Sequence, residues 1–237
     1  MSGIRTAQIR VRQAPEPVRS VRMSPADRTT TQMAVSLLLD YPDEAFGARL
    51  GMLRAEVAAL PTPVRDAIVE FLDAIEPLEV AERERRYVAT FDLKRKCCMY
   101  LSYYAAGDTR RRGAALVAFH EAYRAAGWEF DADELPDYLP AVLEFAARSA
   151  SSIADRLLAS HREGIEVLRA ALVAVGSPYA RLIEAVGMSL AEIDERTRER
   201  YLRLINEGPP SESVGIGGPV ELPPFIPVGR AAQEVRW

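Results

Sequence analysis

The chain has 237 residues, 49% hydrophobic and 27% charged, enough to bury the core of one large domain or two small ones. No run approaches the roughly 18 apolar residues of a membrane span, and the N-terminus lacks the apolar stretch of a secretory signal. Cys97 and Cys98 are adjacent and too few for a disulfide framework, so a reducing cytoplasm is the expected setting. The formal net charge of -4 is uneven: Arg5, Arg10, Arg12, Arg19 and Arg22 against Glu16 make residues 1–22 +4, leaving -8 on the remainder. That acidic body excludes nucleic acid as the expected partner and favours a basic one.

Residues 1–23 show no sustained apolar period and read as a disordered basic arm. Ser24, Pro25 and Asp27 form a helix start, with a capping hydroxyl, Pro in the first turn and a carboxylate at the positive dipole end. Met33, Ala34, Leu37 and Leu38 mark the buried face of that first helix, and Tyr41 and Pro42 stop it. Phe46, Leu50, Leu53, Val57 and Leu60 predict a second helix before Pro61. Thr62 and Pro63 open a third through Ile68, Phe71, Leu72 and Ile75, and a charged helix follows through Tyr87 and Val88 to Phe91.

After the aromatic segment 99–104 and the break at Gly107, a helix carries Ala115, Phe119, Ala122, Tyr123 and Ala126, with Gly127 as its left-handed cap. Another starts near Asp137 and carries Leu139, Val142, Leu143 and Ala146. A single long helix is expected from Ile153 through Leu157, Ile165, Leu168 and Leu172 to Gly176. Ser177 and Pro178 begin a short helix, and Ser189 begins the last, stopped by Gly208 and Pro209. No alternating strand pattern occurs, so the fold class is all-α: a helical domain over 24–207 followed by a Pro/Gly-rich tail over 208–237. Val220, Leu222, Phe225, Ile226 and Val228 make that tail apolar enough to dock on a surface.

His120-Glu121 begins like the zinc-protease pattern, but Arg124 stands where the second histidine is required, and a guanidinium does not ligate zinc. His161 falls on the apolar stripe of its helix and reads as a core or groove histidine. A metal- or thiol-dependent enzyme built on Cys97, Cys98 and a histidine is the rival reading, although no base is supplied in sequence. The densest signal is acidic: Glu129, Asp131, Asp133, Glu134 and Asp137 place five carboxylates in nine residues, beside Trp128, Phe130, Leu135 and Tyr138. Carboxylates beside aromatic surface suit a peptide carrying arginine and apolar side chains, and a solvated acidic loop is the plainer alternative. Asp137 is also placed to cap the helix that follows Pro136.

Three stretches carry a resemblance. They are Tyr87-Val88-Ala89-Thr90-Phe91-Asp92; Met99-Tyr100-Leu101-Ser102-Tyr103-Tyr104 with Gly107-Asp108-Thr109-Arg110-Arg111-Arg112-Gly113; and Glu134-Leu135-Pro136-Asp137-Tyr138-Leu139-Pro140. In this order and spacing they resemble the NarJ family, the assembly chaperones or delta subunits of respiratory nitrate reductase, over about 33–206. The resemblance implies an all-helical bundle like the TorD chaperones and a non-enzymatic role. The partner it implies is the apo catalytic (alpha) subunit of the reductase, bound by its N-terminal leader. The chaperone would assist insertion of bis-molybdopterin guanine dinucleotide, bind no cofactor permanently, insert in no membrane and leave the finished enzyme. A permanent structural subunit is the other rival. Tyr138 stands where many TorD-like relatives have His, so no imidazole role carries over. The expected client-peptide residues are Tyr100, Tyr103, Tyr104, Asp108, Arg110, Trp128, Asp133, Glu134, Asp137 and Tyr138, with no catalytic or metal-ligating residue.

Overall fold

The computed structural model describes residues 15–207 except 108, 131–133, 150 and 193. Ser24 caps α1 (Pro25–Leu38) as its residues dictate: the Asp27 amide donates to the Ser24 hydroxyl, and the Ser24 amide donates back to the Asp27 carboxylate. Asp43 does the same for α2 (Glu44–Val57) by accepting from the Phe46 amide at 2.9 Å. Proline punctuation then sets α3 (Thr62–Ile75), and α4 (Val80–Tyr87) runs into one π-helical turn over Val88–Asp92. A short 3-10 turn (Arg95–Cys97) precedes α5 (Leu101–Ala106) and α6 (Arg111–Ala125), which Gly127 closes at φ 79°.

The remaining helices are α7 (Leu139–Arg148), α8 (Ser152–Ser160), α9 (Arg162–Ala174), α10 (Tyr179–Ser189) and α11 (Glu195–Glu207). Among the described residues there is no strand, only an isolated antiparallel bridge between Tyr100 and Tyr138. α1 lies at the centre, packed on α7, α10 and α2, while α10 also packs on α3 and α9. Its Val35, Leu38 and Leu39 are fully buried in one core with Phe71, Leu143, Leu168 and Ile183, so a single hydrophobic core joins both halves of the chain.

Three expectations are corrected. The long helix expected over 153–176 is two, because the Leu157 carbonyl that would continue it is taken by Nδ1 of His161 (2.9 Å) and the Ser160 hydroxyl (2.7 Å). Ser189 ends α10 rather than opening α11; its hydroxyl donates to the Val186 carbonyl at 2.8 Å. Residues 15–23, read as part of a disordered arm, run extended against α9 and α10. There the Val18 amide donates to Glu166 (3.1 Å), Arg162 donates to the Val18 carbonyl (2.7 Å), and Arg169 donates to the Glu16 carbonyl (2.6 Å). Periodicity does not show this segment because it is extended and held largely through its backbone, with Val21 and Met23 as isolated apolar residues packed on the core. Residues 1–14 and the tail over 208–237 lie outside the described residues.

Candidate functional site

The two aromatic motif stretches are zipped together. The Leu101 amide donates to the Asp137 carbonyl (3.0 Å) and the Leu139 amide to the Met99 carbonyl (2.8 Å), setting Tyr100 against Tyr138 with ring centroids 5.5 Å apart. Asp137 lies beneath, fully buried; one carboxylate oxygen accepts the Ser102 amide at 3.0 Å and the Ser102 hydroxyl at 2.6 Å. It therefore caps α5, not the helix that follows Pro136. The Ser102 hydroxyl in turn accepts from Nε of Arg112 at 3.2 Å, and this guanidinium sits 5.4 Å over the Tyr100 ring. Tyr100 donates to Glu134 at 2.8 Å, so burial and the neighbouring carboxylate both push its phenol above the ordinary value.

Tyr138 links this wall to a second. Its hydroxyl lies 3.2 Å from that of Tyr87, which donates to the Leu39 carbonyl. Tyr87 stacks with Phe91 at 4.9 Å and meets Tyr41 edge-on at 5.4 Å. The π-helical turn matters here: one extra residue in the turn re-aims Phe91 and Asp92 relative to a regular helix, a frequent device at functional sites. Between the walls lies an open cleft of about 690 Å³, lined by Tyr41, Tyr87, Phe91, Tyr100, Tyr103 and Tyr138, the carboxylates of Asp40, Asp92 and Glu134, the guanidiniums of Arg95 and Arg112, and Cys98 with Met99. Aromatic faces with both signs of charge at their edges suit a peptide side-chain set.

The structure brings Tyr100, Tyr103, Glu134 and Tyr138 of the expected set into this cleft. The others stand elsewhere. Tyr104 is core, its hydroxyl donating to the Cys98 carbonyl at 2.7 Å. Arg110 is exposed away from the lining, and Trp128 packs on Phe145 under Arg148. Asp137 is the correction: with no exposed surface it supports the wall instead of meeting a client directly. Asp108 and Asp133 lie outside the described residues. Sequence reasoning missed Asp40, Tyr41 and Arg95 as cleft residues; Tyr87, Phe91, Asp92, Met99 and Arg112 stood in quoted motifs but were given no site role.

The thiols make a poor nucleophilic centre. Cys97 is fully buried and Cys98 half-buried, and burial pushes both above the ordinary thiol value, away from the reactive thiolate. Cys97 ends a 3-10 turn and Cys98 is the extended residue after it. Among the described residues no group of three or more His, Cys, Asp or Glu is arranged to hold a metal ion.

The family model described as nitrate reductase delta subunit matches residues 57–184. This chain belongs to that family. A Bacillus subtilis relative, named as a probable nitrate reductase molybdenum cofactor assembly chaperone NarJ, is 31% identical over 73% of this chain and 95% of its own length. The Escherichia coli K12 assembly chaperone NarJ is 31% identical over 63% of this chain and 65% of its own. The Mycobacterium tuberculosis nitrate reductase-like protein NarX is 36% identical over 64% of this chain, which spans only 23% of that longer relative. Two of these three relatives are named as chaperones of molybdenum cofactor assembly. No helix among the described residues is long and apolar enough to cross a membrane.

Proposed function

We propose that the chain is an assembly chaperone of a respiratory nitrate reductase. It binds the N-terminal leader of the apo catalytic subunit in the cytoplasm, before membrane attachment, and holds the subunit while bis-molybdopterin guanine dinucleotide is inserted. One observation carries the reading: a cleft of about 690 Å³ walled by aromatic rings and edged by Asp40, Asp92 and Glu134, most of whose lining falls within the family-matched residues 57–184. Rings take apolar side chains of the leader, and the carboxylates take its cationic ones. The cofactor is cargo for the client, and no residue here is assigned to it.

Titration calorimetry with a synthetic leader tests this. Tyr138→Ala and Glu134→Gln should each weaken binding by roughly tenfold, the size of one good aromatic or charge-assisted contact. Equal affinity of parent and both variants would move the leader elsewhere. The family description as a subunit keeps one second reading, permanent membership of the reductase. Stoichiometric copurification with the mature, cofactor-loaded enzyme would favour that reading over a chaperone that departs.

A further inference from the structure

The connection from the π-helical turn to the 3-10 turn is Leu93-Lys94-Arg95-Lys96, and all four residues are exposed. Leu93 is 76% exposed, the most of any large apolar side chain among the described residues. Lys94 and Lys96 are the only two lysines in a chain whose net charge is -4. Both flank Arg95, which lies 6.0 Å over the Tyr103 ring and lines the cleft together with Arg112. The cleft is thus chemically divided. Asp40 and Asp92 stand on the Tyr41 side, just after α1 and on the π-helical turn, whereas the cations are gathered on the 93–96 connection and the start of α6, where Glu134 beside Tyr100 is the one carboxylate among the described lining residues.

A partner that offered only cations and apolar groups would bring no opposite charge to Lys94 and Lys96 at this rim. We propose that residues 93–96 form a second contact surface at the rim of the cleft, which takes an acidic segment of the same peptide partner while Leu93 covers an apolar side chain there. This rests on the reading of the cleft as a peptide site. It narrows the partner to a peptide that is basic and apolar in one part and acidic in the adjoining part. Two classes of contact on one ligand give register as well as affinity, since a peptide shifted along the cleft would set like charges together.

The test uses two synthetic peptides with the same basic, apolar part, one extended by Asp and Glu and the other by Asn and Gln at the same positions. Several exposed pairs acting together should make the parent bind the acidic extension about tenfold more tightly, a gap that added salt narrows. Lys94→Glu with Lys96→Glu should abolish that preference and leave affinity for the neutral extension unchanged. Carbodiimide coupling provides a second readout, because it joins carboxylates to amines and lysine occurs at only these two positions. A crosslink from the acidic extension to Lys94 or Lys96 is expected. Equal affinity of the parent for both peptides, or an equal loss for both in the variant, overturns the proposal while leaving the cleft reading intact. Failure of both peptides to bind the parent removes the cleft reading and this inference with it. Lysine-dependent sedimentation with anionic vesicles, combined with equal peptide affinities, would reassign the surface to a membrane.

Discussion

Replacing Asp137 separates structural support from client contact. The side chain is fully buried, as is Ser102, and one oxygen receives both the Ser102 amide and the Ser102 hydroxyl. Asp137→Ala leaves those two donors without an acceptor; at about 1.5–3 kcal/mol for each bond to a charged group, the expected loss of stability is about 3–5 kcal/mol. Asp137→Asn keeps an oxygen for both donors, but brings an NH2 group to where the other carboxylate oxygen is buried and meets no donor among the described residues. That substitution should cost about 1–2 kcal/mol. Urea unfolding of parent and both variants measures the order, read as a shift in midpoint at constant slope. Leader affinity of the folded Asn variant should stay within about threefold of the parent, with the same salt dependence, because no part of Asp137 reaches the surface. An Asn variant as stable as the parent that binds the leader tenfold more weakly in a salt-dependent way would refute the reasoning and make this carboxylate a direct client contact.

Glu166→Ala should destabilise the fold by about 3–5 kcal/mol, since Arg162 and Arg169 would remain buried without their shared carboxylate. It should also free residues 15–21 to cleavage after Arg19 in limited proteolysis; parent-like stability and protection would discount the anchor. The double variant Cys97→Ser, Cys98→Ser should still support reductase maturation at a cost of about 1–2 kcal/mol from the buried hydroxyl at position 97. Loss of maturation by a folded variant would reinstate thiol chemistry. Burial holds the His161 imidazole below its ordinary value of about 6.5. As pH falls the unfolded chain therefore takes up the proton first, so this contribution to stability is complete above about 6.5 and lost as pH falls through the lower folded value. Between pH 7.5 and pH 5 the parent should lose more stability than His161→Gln in urea titrations, and parallel slopes would contradict the assignment.

How much of the site could be read from the chain differs residue by residue. Tyr100, Tyr103, Glu134 and Tyr138 were legible because they stand in motif stretches whose order and spacing resemble one family. Asp137 was visible as a motif residue, yet its role was not: spacing gives the position of a carboxylate, and only the pairing of 99–102 with 137–139 turns it inward. Asp40, Tyr41 and Arg95 come from the loop after α1 and from the connection after the π-helical turn, far apart in sequence, and meet only when the bundle closes.

The sequence by itself determined the all-helical class, the helix starts at Ser24 and Thr62, and the stop at Gly127. Each depends on local physics: a cap, a proline or a positive φ acts within one turn of chain. The break at His161 is local as well, since the Ser160 and His161 side chains compete for the Leu157 carbonyl three and four residues back, but periodicity does not record it. Tertiary structure decided two things: it ordered residues 15–23 on the Arg162, Glu166 and Arg169 cluster, and it assembled the cleft. These depend on hydrogen bonds and packing between distant segments, and periodicity along one chain carries no record of which remote carbonyl or carboxylate will stand within hydrogen-bonding distance.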